Sequence, residues 1–391
     1  MATANEKLRI VLISNNYTPY SGGVVSSINA QIAALQEDQH FVRLITLDFL
    51  GEKHDDPEYV IRIQTPIKFR YQQKHYAIPW FMVTQLKRII REINPDIIHV
   101  HHPFLLGVKA VEVGRKFELP VVFTYHTLYE EYAHYVPLPD SLSKTLISNL
   151  VRKFCASVDA IIVPGQNIAN LLARKKITTP LYCIPSPLQP CFYHIPFMPD
   201  NPIPGSPVKL LTVGRFTKEK NLRFLLDACQ LLEVKFVLTL VGYGIEYENL
   251  RNYAYCHLQL SPEQVQFVLK PSPLQLIDYY KQADLFLFSS ITDTQGLVLA
   301  EAMACSTPVI AVDGPGQNDI VINNKNGMLV SSAEDMAVTI KQLVKDQQRL
   351  IEMRKQAWLT AKKFLPETYN AKLLETYRGL VDRVTFNNEQ Y

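Results

Sequence analysis

Asp284-Leu285-Phe286-Leu287-Phe288, followed after a short polar loop by Asp293-Thr294-Gln295-Gly296-Leu297-Val298-Leu299-Ala300-Glu301-Ala302-Met303-Ala304, sets the architecture of this chain. The first run is short and apolar, as a strand buried on both faces would be, and the segment after the glycine reads as a helix. Strand, loop and helix together form the repeating unit of a parallel sheet covered by helices. The same alternation extends both ways from here, with apolar runs at Lys209 to Val213, Lys235 to Val241, Val265 to Val268 and Pro308 to Val312. An earlier series occupies Arg9 to Ile13, Asp96 to Val100, Pro120 to Tyr125, Ala160 to Val163 and Pro180 to Ile184. Between the two series lie Pro185, Pro187, Pro190, Pro196, Pro199, Pro202, Pro204 and Pro207, a density that neither a helix nor a central strand tolerates. The expected organisation is a Rossmann-like domain over 1–190, a linker over 191–206 and a second Rossmann-like domain over 207–365. From Ala333 onward the sequence reads as helix, interrupted near Pro366, and a last helix over 366–391 is expected to pack back toward the first domain.

A length of 391 residues suits two domains, and 47% hydrophobic with 20% charged residues supplies two cores. No apolar run approaches the ~20 residues of a membrane span, and Met1 to Lys7 lacks a secretory pattern, so a cytoplasmic protein is expected. Six scattered cysteines without paired spacing suggest neither zinc nor disulfides. The net charge of +3 hides a local excess. From Ile61 to Arg91 there are seven Lys or Arg, among them Lys68, Arg70 and Lys74, and no acid.

Ligands of open parallel sheets bind beyond the carboxyl ends of strands, so the loops there are the candidate sites. Gly22 and Gly23 follow the first strand and would let backbone amides reach a phosphate or sugar; a plain tight turn explains them as well. Gly214-Arg215-Phe216-Thr217-Lys218-Glu219-Lys220-Asn221 sets a guanidinium and an ammonium five residues apart, where they could jointly neutralise a diphosphate or merely decorate a helix start. Gly242-Tyr243-Gly244 could admit a nucleotide or a neighbouring backbone. Asp293 and Glu301, eight residues apart, could touch different parts of one extended ligand. Glu301 stands among Leu299, Ala300, Ala302 and Met303, where an unpartnered carboxylate is costly. Asp293 could equally be a helix cap.

With these residues in place the sequence resembles the family 4 glycosyltransferases of the GT-B fold, two Rossmann-like doubly wound domains facing a cleft. The resemblance runs through the chain, and the family's Glu-x7-Glu motif reads Asp293-x7-Glu301 here. It implies that Glu301 holds the donor ribose, and that Asp293 with Thr294, Gln295, Gly296 and Leu297 meets the sugar and phosphates. Asp293 reaches one methylene less than the family's glutamate. Arg215 and Lys220 match the basic pair on the donor diphosphate, Gly22-Gly23 the first-domain glycine loop, and His126 the histidine beside the reacting sugar. Gly242 joins the donor side. Pro185-Ser186-Pro187 departs from the family's usual Pro-x-Gly turn.

His101-His102-Pro103-Phe104, the segment Tyr125 to Tyr132 and Asp293 to Leu297 are similar to the diacylglycerol glucosyltransferases. This narrower resemblance implies glucose transfer from UDP-glucose to a 1,2-diacylglycerol acceptor, with His101, His102 and Tyr129 on the acceptor side. No Asp-x-Asp motif occurs, so Arg215, Lys220 and helix amides are expected to take the place of a metal, and no cofactor is required. The expected partners are a nucleotide-sugar, a lipid acceptor and an anionic membrane surface on the inner face of the cell membrane, and not a nucleic acid. The basic segment and an apolar stripe over Ser141 to Phe154 would provide the membrane contact, unless the stripe is a core-facing helix. A soluble acceptor, a nucleotide-sugar 2-epimerase and a non-catalytic sugar-nucleotide-binding protein are the competing readings.

Overall fold

The computed structural model describes residues 6–18, 22–48, 55–65, 67–71, 74–78, 81–131, 139–199, 203 and 205–388; for 67–71, 74–78, 140 and 385–388 it describes the backbone only. The chain divides into two compact units, Met1–Pro185 with Pro366–Tyr391, and Ser186–Leu365.

In the first unit β1 (Arg9–Ile13), β2 (Phe41–Leu47), β3 (Val60–Ile63), β4 (Ile67–Tyr71), β5 (Lys74–Ile78), β6 (Ile97–Val100), β7 (Val121–Thr124), β8 (Ala160–Val163) and β9 (Leu181–Cys183) alternate with α1 (Gly23–Glu37), α2 (Met82–Ile93), α3 (Leu106–Lys116), α4 (Asp140–Cys155) and α5 (Gln166–Arg174). The main sheet is parallel, in the order β3-β2-β1-β6-β7-β8-β9. Every residue of β6, β7 and β8 is buried, because helices cover both faces. Val25, Ile28 and Ile32 of α1 pack on one face with Ile10 and Leu12, while Leu86 of α2, Ala110 of α3, Phe154 of α4 and Ile168 of α5 pack on the other with Val11 and Ile13. Ile13 stands opposite Ile45 on one side and Val100 on the other. The chain therefore leaves β1 and β6 in a crevice where strand order reverses. β4 and β5 form a separate antiparallel hairpin that carries Lys68, Arg70 and Lys74, whose side chains lie outside the described residues.

The second unit repeats the plan with β10 (Val208–Arg215), β11 (Phe236–Tyr243), β12 (Val265–Leu269), β13 (Leu285–Phe288), β14 (Val309–Val312) and β15 (Gly327–Val330), and with α6 (Leu222–Gln230), α7 (Tyr247–Asn252), α8 (Pro273–Gln282), α9 (Leu297–Ala304), α10 (Ala333–Lys345) and α11 (Gln347–Ala361). Its parallel sheet runs β12-β11-β10-β13-β14-β15, reversing between β10 and β13. α8 starts at a capping box, Ser272 accepting from the Gln275 N–H while the Gln275 side chain returns to the Ser272 N–H. α12 (Pro366–Asn388) belongs to the first unit, where Asn370 donates to the Ala34 carbonyl at 2.6 Å and to Asp38 at 2.8 Å. Pro366 opens that helix at a position whose N–H would have no helical partner.

Two doubly wound sheets match the alternation read from the sequence. β2, β3, β4, β5 and β15 were not among the expected strands. The passage between units falls at Pro185–Ser186, upstream of the proline-rich stretch 191–206, because Leu188 and Phe192 are already buried in the second unit's core.

Candidate functional site

Each unit gathers polar side chains at its own switch point. In the first, His101 follows β6, and its N–H donates to the Ile13 carbonyl at 2.9 Å, fixing it beside the end of β1. His126 follows β7, and its Nε2 lies 2.8 Å from His101 Nδ1. The His101 ring stacks on His99 with centroids 4.5 Å apart, and the His101 and His126 rings are nearly parallel at 5.1 Å. His99 is held from three sides: Nε2 lies 2.6 Å from Thr124 Oγ1, and Nδ1 meets Tyr377 of α12 and, at 3.0 Å, Gln31 of α1. Burial holds all three imidazoles neutral, His99 pulled down to about 3 and His101 and His126 well below the ordinary histidine range, with mutual repulsion adding to the effect at His101 and His126. His102 Nδ1 sits 3.1 Å from Ser14 Oγ, and burial lowers its pKa to about 4.

The narrower sequence resemblance places His101, His102 and Tyr129 on the acceptor side. His101 is fully buried and touches His126, and Tyr129 packs edge-on against Phe104 and Tyr125, each at 5.5 Å, within the core. His126 and His102 keep some exposure. Among the described residues, a Cβ added to Gly22 or Gly23 would meet nothing within 4 Å. The first turn of α1 carries neither a side-chain cap nor an acid, which leaves its N–H groups suited to a polar or anionic ligand.

In the second unit Lys220 Nζ donates to both oxygens of Asp293, at 2.7 and 2.6 Å, uniting the ends of β10 and β13. Its carrier turn, Lys218–Lys220, is pinned by Ser289 Oγ on the Lys220 carbonyl at 2.8 Å and Ser290 Oγ on the Glu219 carbonyl at 3.2 Å. Arg215 is 42% exposed and reaches buried Glu219 at 3.3 Å. The Asp293–Gly296 loop runs into α9, where Gly296 takes the left-handed region at φ 67°. Thr294 is buried, and Leu297 opens α9. Glu301, one turn further in, accepts from the buried Tyr280 hydroxyl at 2.7 Å, and burial raises its pKa. That bond supplies the partner its apolar surroundings required.

Two donor-side expectations take on structural detail. Gln295 exchanges two hydrogen bonds with the Ser186 backbone, at 2.9 and 3.0 Å, so it clamps the chain where the second unit begins. Gly242 lies against Gly214 of the neighbouring strand, whose carbonyl oxygen would be 1.8 Å from an added Cβ. That close approach fits the neighbouring-backbone reading of this glycine.

The sequence reading missed Gly316 and Gln317, which close the loop from below. A Cβ on Gly316 would lie 2.4 Å from the Asp293 carbonyl oxygen, and the Gln317 amide donates to the Ser290 carbonyl. The only local signal is the Gly314-Pro315-Gly316 turn after β14. Tyr280 was missed because a tyrosine on an apolar helix face reads as core.

Comparison with known proteins places both halves in glycosyltransferase families. Residues 21–189 match the model described as Glycosyltransferase Family 4, and residues 196–363 match Glycosyl transferases group 1. The alpha-monoglucosyldiacylglycerol synthase of Streptococcus pneumoniae is 29% identical across 85% of this chain and 77% of its own. The enzyme of the same name from Acholeplasma laidlawii is 27% identical across 96% and 98%. Among solved structures, sucrose-phosphate synthase from Thermosynechococcus elongatus superposes with a TM-score of 0.81 at 21% identity, over 96% of this chain and 100% of that one.

Proposed function

The chain belongs to the GT-B glycosyltransferases, and from that premise we propose that it transfers glucose from UDP-glucose to 1,2-diacylglycerol with retention of anomeric configuration. The observation that carries the donor half is Lys220 held by both oxygens of Asp293 at the β10–β13 switch point, with Arg215 alongside. An ammonium has three N–H bonds, and two engaged by Asp293 leave one for a diphosphate oxygen. In the proposed step the bond between sugar C1 and the diphosphate oxygen breaks, the acceptor hydroxyl oxygen bonds to C1 on the face just vacated, and its proton passes to the departing diphosphate. Arg215 and Lys220 balance the charge that develops on the diphosphate, so the step is written without a metal. Glu301 would hold the ribose, with Tyr280 fixing its second oxygen. His126 would meet the sugar.

The acceptor reading rests on the two synthases, which align over most of their own lengths. A surface of the first unit agrees with it. Leu142, Leu146 and Leu150 of α4 are 55%, 45% and 46% exposed at four-residue spacing, while Val151 and Phe154 face the core. The same helix carries Lys144 and Lys153. Among the described residues no helix is long and apolar enough to cross a membrane, so peripheral binding to an anionic inner surface is the mode proposed.

The test is to incubate the purified chain with a panel of labelled nucleotide sugars, diacylglycerol vesicles and soluble glycan acceptors. Glucose from UDP-glucose should enter the chloroform phase, α-linked by its proton NMR coupling, with excess EDTA making no difference. Label confined to soluble products would overturn the lipid acceptor, and loss of activity restored by Mg²⁺ would overturn the metal-free step. Leu142, Leu146 and Leu150 changed together to Ser should weaken co-sedimentation with anionic vesicles; unchanged binding would remove the α4 ridge from the proposal.

A further inference from the structure

His126 and His101 share one hydrogen bond between ring nitrogens, and both rings are neutral. A hydrogen bond between two neutral imidazoles contains a single proton, so one ring donates and the other accepts. Which ring donates is settled by the far side of His101. Its side chain is fully buried, and among the described residues its Nε2 has no hydrogen-bond partner.

There are two arrangements. If His126 donated from Nε2, His101 would have to carry its own proton on Nε2, burying an N–H without an acceptor. If His101 donates from Nδ1, its Nε2 is an unprotonated ring nitrogen. Orphaned buried N–H groups are the rarer exception in folded proteins, under-satisfied acceptors the commoner one. We infer that His101 is a positioning residue which donates from Nδ1 to His126 Nε2 and so fixes His126 as the Nδ1–H tautomer. This inference rests on the proposed function for its meaning, since it fixes which ring nitrogen carries the proton in a histidine proposed to lie beside the reacting sugar. It also accounts for the polar bonds behind His101. Thr124, Tyr377 and Gln31 fix the His99 ring, and the His99 ring backs His101 at 4.5 Å, so the pair is braced from α1 and α12.

The direct test is long-range proton–nitrogen NMR on the full chain labelled with ¹⁵N-histidine, His126 being assigned by difference from a His126→Ala sample. The expected spectrum has His126 Nδ1 in the protonated, pyrrole-like range and Nε2 in the pyridine-like range. The reverse pattern overturns the inference. That measurement needs no turnover, so it stands even if no nucleotide sugar is consumed, a result that would sink the proposed function alone.

Two variants test the consequence. His101→Leu keeps apolar volume and removes the donor, and should lower kcat by about tenfold, the effect of one hydrogen bond of ordinary strength, with UDP affinity unchanged. His101→Asn places an amide N–H near the Nδ1 position and should recover most of that loss. Asn no better than Leu, or UDP affinity falling with kcat in both, would reduce His101 to a core residue and contradict the assignment.

Discussion

The carboxyl ends of β1 and β6 and those of β10 and β13 are the same place in two copies of one topology, yet their chemistry is opposite. The first holds imidazoles kept neutral by burial, bonded to one another and to hydroxyls and an amide. The second holds formal charges, an ammonium locked to a carboxylate and a guanidinium beside a second carboxylate. The fold determines where each unit would hold a ligand, and the side chains determine the chemistry that suits it. A neutral hydrogen-bonding surface suits sugar hydroxyls, and a cationic one suits a diphosphate. The contrast follows from strand composition as well as from loops. His99 lies within β6 itself, whereas β13 is Leu285-Phe286-Leu287-Phe288 and contributes no polar group until Ser289.

The largest separation between the two units should come from acid. His99 and His101 are fully buried with pKa values lowered from the ordinary 6.5, so between pH 6.5 and their folded values the unfolded chain binds more protons. Their contribution is therefore complete above about pH 6.5 and lost as pH falls, by up to ~1.4 kcal/mol per pH unit for each histidine. At pH 4.5 the first unit should have lost roughly 3 kcal/mol from His99, with His101 acting in the same direction. Glu301 runs the other way. Its raised pKa means that protonation on descending pH favours the folded form. Hydrogen exchange read by mass spectrometry at pH 7, 5.5 and 4.5 should show the β6 and β7 peptides losing protection before those of β13 and α9. Equal loss in both units would break the contrast.

A smaller effect is expected from removing the cations. Lys220→Ala would, on the proposed function, deprive a diphosphate of a charge-assisted partner, and it leaves Asp293, with 19% of its side chain exposed, without its ion pair. Turnover should fall about 10- to 100-fold. Arg215→Ala should cost less, about tenfold, because Arg215 is the more exposed of the two. Near-normal turnover in both variants would show that the second switch point does not hold the leaving group.

The smallest effect sharpens the ribose assignment. Glu301→Gln should weaken UDP binding by roughly tenfold, and Tyr280→Phe by less, since Phe removes only the hydroxyl that fixes one Glu301 oxygen. Calorimetric titration with UDP checks both. Tyr280→Phe weakening UDP more than Glu301→Gln would mean that Tyr280 itself touches the nucleotide.

Much of this was legible in the sequence, and the rest was hidden for particular reasons. Arg9–Ile13 and Ala160–Val163 are strands over the residues read as such, because a parallel strand covered on both faces is a bare apolar run. β2 was legible too: Phe41-Val42-Arg43-Leu44-Ile45-Thr46-Leu47 has the β-branched content of a strand and was passed over. β3 and β15 are four-residue edge strands, one interrupted by Arg62 and the other opening on Gly327, and such fragments resemble loops. The apolar stripe of α4 could not be divided by periodicity alone. Val151 and Phe154 turn inward while Leu142, Leu146 and Leu150 turn outward, although all fit one helical repeat. At the sites, the need for a partner to Glu301 could be read from its apolar neighbours, but Tyr280 as that partner could not. The same holds for Gln295 with Ser186 and His99 with Tyr377, which are joined only by the tertiary fold. His126 stood out by family position, not by being a histidine at a strand end.

The division of labour between the two switch points is tested most directly by titrating UDP into the wild-type chain, Lys220→Ala and His126→Ala in one calorimetric series. Lys220→Ala should weaken UDP binding by about tenfold or more, whereas His126→Ala should leave it unchanged, because the proposed function gives the diphosphate to Lys220 and Arg215 and not to the histidines. Equal loss of UDP affinity in the two variants would contradict that division.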